Sequence, residues 1–142
     1  FVDWCVDNTE PDEEYTVYAW SETDLYQLEG EIEQKDIEIN DELDYILANW
    51  TDFQLEFGRI VGITRQISLE KALDLAGLSF DGKVHDALWD ARNTAMLFAH
   101  TEDDEGFQHT LDKINEVMQT PKPMTVSLGD LLLNKGVKLT DE

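Results

Sequence analysis

Three side chains have the chemistry and the placement to act together: Asp24, His85 and Asp90. Asp24 lies in Ala19-Trp20-Ser21-Glu22-Thr23-Asp24-Leu25, four residues past a stretch that reads as a buried strand. A carboxylate there stands at the C-terminal edge of a sheet, where open α/β sheets place their ligands. A local account competes with this. Ser21-x-x-Asp24 has the form of a capping box with Asp in place of Glu or Gln, and acids are favoured in a helix's first turn. His85 immediately precedes a helical stretch, and Asp90 falls within its first two turns. An imidazole and a carboxylate so spaced suit a general base paired with a metal ligand. The competing account is a His and an Asp on a solvated helix start.

The elements that must position these groups alternate between strand and helix. Tyr15–Trp20 is β-branched, aromatic and small, which predicts a strand. Ser21 then reads as an N-cap for a helix over 22–35, with Leu25, Leu28 and Ile32 on one face. Leu43, Ile46, Leu47 and Trp50 give a weaker helical pattern over 36–50. Phe53, Leu55 and Phe57 alternate with polar residues and predict a second strand over 52–57. Ser68 caps a short helix that ends at Gly77, and Phe80-Asp81-Gly82 reads as a turn. Helices follow over 86–99 and 104–118, the latter stopping before Pro121 and Pro123. On the first of these, Ala87, Leu88, Ala91, Ala95, Phe98 and Ala99 fill one arc, with Asp90 at its margin. The small residues in that arc would let the helix approach a sheet closely. Residues 1–8 place Phe1, Trp4 and Cys5 at helical spacing. The fold class that follows is α/β, with about two strands and five helices.

Composition narrows the function classes. Thirty-two acidic residues face ten basic ones, a net charge of −22, which opposes broad electrostatic binding of nucleic acid. Yet five of the ten basic residues fall between Arg59 and Arg92, so a local basic patch can exist inside an acidic protein. Apolar residues at 42% describe a globular chain. No apolar run has the length of a membrane span, and the acidic first residues are unlike a signal peptide. The single cysteine, Cys5, excludes an internal disulfide framework and a multi-cysteine zinc site, which fits a cytoplasmic setting.

His85-Asp86-Ala87-Leu88-Trp89-Asp90-Ala91-Arg92-Asn93-Thr94-Ala95 resembles the third motif of DEDDh 3′–5′ exonucleases, in which a His stands five residues before an Asp. Val17–Leu25 resembles the family's second motif, in which a strand delivers an Asp. The segments Trp50–Leu55 and Ser68–Leu73 resemble the strand and short helix between the two. The similarity covers about residues 1–100. It is strongest to the subgroup of sporulation-inhibitor-like and histone-mRNA-trimming exonucleases. The resemblance implies the C-terminal part of a ribonuclease H-like fold. It implies that His85 is the water-activating base, that Asp90 is a direct metal ligand, and that Asp24 lies on a second metal's side. Two Mg²⁺ or Mn²⁺ ions would serve a hydrolysis that trims the 3′ end of single-stranded RNA or DNA.

The family's first motif, Asp-x-Glu on the first strand, has no counterpart here. Asp7-Asn8-Thr9-Glu10 has the wrong spacing, and only seventeen residues separate Asp7 from Asp24. The expectation is therefore a fragment whose central N-terminal strands precede Phe1, inactive alone, or a chain that completes its sheet with another chain or a second copy of itself. A non-catalytic regulatory protein on the same scaffold is the alternative. Lys83 and Arg92 are candidates for phosphate contact. Trp20, like Trp89 and Phe80, is a candidate for base stacking, with core packing as the competing account. Residues 1–118 are expected to form the exonuclease portion, and 119–142 an extension that docks through Leu128 and Leu131–Leu133.

Overall fold

A computed structural model describes residues 1–10 and 13–119, without the side chains of Asp104 and of residues 117–119. The described chain is a mostly helical α/β structure, with seven helices and a two-strand parallel sheet. Its elements run α1 (Val2–Asp7), β1 (Val17–Ala19), α2 (Thr23–Gln34), α3 (Asp41–Ala48), β2 (Trp50–Asp52), α4 (Phe53–Val61), α5 (Leu69–Leu75), α6 (Ala87–Thr101) and α7 (Asp104–Gln119). The leucine patch at 128–133 lies outside the described residues.

Parallel strands need a long crossover, and α2 and α3 form it. The register pairs Val17 with Trp50, Tyr18 with Thr51 and Ala19 with Asp52. Strands of three residues bury little by themselves. Aromatic packing supports them. Tyr18 sets its ring on Phe98 at 4.7 Å and on Phe53 at 5.9 Å, and Phe53 meets Phe98 at 5.6 Å. These contacts bind β1, α4 and α6 into one unit. Burial raises the Tyr18 phenol above its ordinary value, and the nearby carboxylates of Glu56 and Glu102 add to that rise.

The strand expected over 52–57 is a correction. Only its first residue belongs to β2, and Phe53–Val61 is helical. Phe53, Phe57 and Val61 recur every four residues and are all buried, whereas Leu55 is 42% exposed. Asp52 caps the helix by accepting from the Leu55 amide at 3.1 Å, and Gly62 ends it in the left-handed region at φ 74°. Gly58 is needed for contact: a Cβ there would sit 2.9 Å from the Ile63 carbonyl oxygen.

The remaining core follows from helical periodicity. On α5, Leu69, Ala72, Leu73 and the following Ala76 are buried, as are Leu97 of α6 and Phe107, Thr110 and Ile114 of α7. The Gln54 carboxamide donates to the Ile67 carbonyl at 2.7 Å, tying α4 to the segment before α5. Ser68 caps α5 through the Lys71 amide, and Gly77 leaves it at φ 72°. In the N-terminal part, Cys5 is the buried residue of α1, and burial raises its thiol pKa. Leu43 and Ile46 anchor α3, whose N-cap Asn40 accepts from the Leu43 amide at 2.9 Å. Among the described residues, no helix is long and apolar enough to cross a membrane.

Candidate active site

Asp24 lies in the first turn of α2, just beyond β1, and is exposed. The capping box anticipated around it does not form. The helix starts at Thr23 with Glu22 at the N-cap, and Ser21 Oγ accepts from the Thr23 amide at 3.3 Å. The carboxylate of Asp24 therefore has no hydrogen-bond partner among the described residues. Of the turn anticipated at 80–82, Gly82 forms a bend, and the turn itself falls at Val84 and His85. Gly82 adopts φ 85°, and His85 carries a positive φ of 62°, an uncommon backbone state for a residue with a Cβ. Asp86 then caps α6 by accepting from the Leu88 amide at 3.2 Å.

The face that α6 presents to the core differs from the one anticipated. Asn93, Thr94 and Leu97 are the buried residues, whereas Ala87, Leu88, Ala91, Ala95 and Ala99 are exposed, Leu88 at 72%. Polar residues can point inward here because their hydrogen bonds are met locally. Thr94 Oγ1 donates to the Asp90 carbonyl at 2.8 Å. Asn93 Nδ2 donates to the carbonyls of Asp81 at 2.8 Å and Trp89 at 2.7 Å, and its Oδ1 accepts from the Asp81 amide at 2.9 Å. Asp90 is half-buried beside this face, and its carboxylate has no partner among the described residues.

Lys83 is exposed on the loop before His85. Arg92 lies over the Trp89 ring at 5.7 Å, with its Nε 3.6 Å from Asp81 Oδ2. Trp20 is turned the other way. Its ring packs on Phe57 at 6.1 Å and Phe53 at 6.2 Å, which is the core account of this residue.

Among the described residues, no three His, Cys, Asp or Glu side chains are grouped closely enough to hold a metal ion. Asp24, His85 and Asp90 are thus not a metal site by themselves, and the donor set falls short of two Mg²⁺ or Mn²⁺ ions. A cleft of about 440 Å³ opens between α1 and α3, lined in part by Tyr15, Tyr45, Glu10, Glu13, Asp41 and Glu42. It touches none of the three candidate residues, and its carboxylates repel a phosphate backbone. Sequence reasoning placed a turn at Gly82 but missed Asn93 and Trp89 as the residues that shape the His85 loop. Their signal was the pairing of Trp89 and Asn93 at i and i+4 on one helix face below a glycine turn.

No protein-family model matches this chain. Nor does any curated protein or solved structure.

Proposed function

We propose that the chain is the C-terminal portion of a metal-dependent DEDDh 3′–5′ exonuclease acting on single-stranded nucleic acid. The observation that carries the reading is the corner at α6. An imidazole is delivered there from a loop with a positive φ, five residues before a half-buried carboxylate that has no partner among the described residues. In this reading His85 takes the proton of the attacking water and Asp90 offers its oxygens to a hard cation. Lys83 and Arg92 meet the phosphates. Asp24, exposed in the first turn of α2, belongs to the second cation's side. The carboxylates that complete the site come from outside the described residues.

The test is trimming of a 3′-labelled oligonucleotide with Mn²⁺ by the full protein that carries this chain. Asp90→Asn and His85→Ala should each reduce the rate by at least about a hundredfold, the scale of a lost general base. Undiminished trimming in both variants removes the assignment.

One observation favours a second reading, a non-catalytic regulatory protein on the same scaffold. The first fifty residues carry sixteen acidic side chains and one basic one, a surface suited to basic proteins rather than to nucleic acid. Binding of a basic polypeptide probe such as polylysine, with no oligonucleotide hydrolysis at any metal concentration, selects it.

A further inference from the structure

We infer that Asn93 is a positioning residue for His85, acting through the backbone of the intervening loop rather than by touching substrate; its catalytic consequence rests on the exonuclease reading. Asn93 is fully buried, and its carboxamide grips a single residue twelve positions earlier at two points. It accepts from the Asp81 amide and donates to the Asp81 carbonyl. A two-point grip fixes the orientation of the backbone as well as its distance. The third bond, to the Trp89 carbonyl, holds the carboxamide against its own helix.

Trp89, one turn earlier on the same face, secures the next loop residue. A Cβ built on Gly82 would fall inside the Trp89 ring, so the glycine backbone lies flat on the indole. On the far side, Asp86 is fixed as the N-cap of α6. Only Lys83, Val84 and His85 span the interval between these two fixed points. The four Cα–Cα steps from Gly82 to Asp86 reach at most about 14 Å when extended, so the segment is tethered closely at both ends. The positive φ of His85 is the turn that closes this span. Asparagine suits the task for a specific reason. Aspartate has no donor for the two carbonyls and would place a charge against them, and alanine has neither donor nor acceptor.

The test uses two variants of the same chain. Asn93→Ala removes the grip, and Gly82→Ala lifts the loop off Trp89 from a solvent-exposed position that does not disturb the core. Backbone resonances and amide exchange over 81–86 are followed, with the Leu73 and Ile114 amides of α5 and α7 as internal controls. Asn93→Ala should accelerate exchange at the Asp81 amide by at least about tenfold relative to the controls, the scale of a lost buried hydrogen bond. Both variants should shift the His85 backbone resonances. If His85 stays unshifted in Asn93→Ala, the inference is overturned; should Asn93→Ala fail to fold, Asn93→Asp, which keeps the shape and the acceptor but has no donor for the two carbonyls, decides in its place. In the full protein, Gly82→Ala should lower kcat of oligonucleotide trimming with KM unchanged, since a displaced base affects chemistry and not substrate capture. An unchanged kcat with a shifted His85 overturns the catalytic consequence. If His85→Ala itself trims normally, the exonuclease reading falls instead, and the resonance experiment still decides whether Asn93 governs the loop.

Discussion

Replacing Phe57 and Leu55 in turn separates a helix from a strand over 53–57, the segment whose pattern is most ambiguous. Phe57 is fully buried, with its ring 6.1 Å from Trp20 and 6.3 Å from Phe53. Truncating such a ring to alanine costs about 3–5 kcal/mol, the sum of lost burial and an unfilled cavity. Leu55 sits two residues away, on the opposite side of the helix and 42% exposed, so its truncation costs about 1 kcal/mol at most. With a urea slope of about 2 kcal/mol/M, the midpoint falls by about 1.5–2.5 M for Phe57→Ala and by less than about 0.5 M for Leu55→Ala. Far-UV circular dichroism is the suitable probe, because Trp20 fluorescence would respond to loss of the neighbouring ring itself. A strand would place Phe53, Leu55 and Phe57 on one face. Equal midpoint shifts for the two variants would therefore refute the helical packing of α4.

Three further outcomes follow from named contacts. Asp52→Ala removes the cap on the Leu55 amide and should destabilise the chain by about 1 kcal/mol, read from the same urea titration, whereas Asp52→Asn should retain most of that. Cys5 is buried and its thiol pKa is raised by that burial, so maleimide should label it far more slowly in the native chain than in denaturant; equal rates would place α1 off the domain. The Glu31 carboxyl is held below its ordinary value by its hydrogen bond and charge pairing with Lys35 at 2.6 Å. A lowered carboxyl favours the folded state above the unfolded carboxyl pKa, and that contribution is lost as pH falls through the lowered folded value. Lys35→Met should return the Glu31 titration, followed by side-chain carbon NMR, to the usual carboxylate range.

Much of the architecture was legible because its signals are local. Tyr15–Trp20 yielded β1, and the spacing of Leu25, Leu28 and Ile32 yielded α2. The Ser68 cap and the Gly77 stop bounded α5, with the cap bond to Lys71 as expected. Two errors had physical causes. Aromatics at 53 and 57 satisfy a period of two and a period near four equally well over five residues. Only the Asp52 cap and the Gly62 stop, ten residues apart, distinguish the two. On α6 the apolar arc, Phe98 excepted, pointed outward because side-chain carboxamide and hydroxyl groups took the inward positions, paired with loop and helix carbonyls that no helical wheel displays. The candidate residues themselves were legible as a motif. Their setting was not, since the grip of Asn93 on Asp81 depends on a turn geometry visible only in three dimensions.

The backbone at position 85 also has a consequence for how such a chain changes over generations. A positive φ disfavours a residue with a Cβ by about 1–2 kcal/mol relative to glycine. A library of variants sorted for thermal endurance alone should accumulate glycine there, and one sorted for the side chain's task should hold histidine against that drift. The residue retained at position 85 under each regime measures how strongly selection holds on to the imidazole.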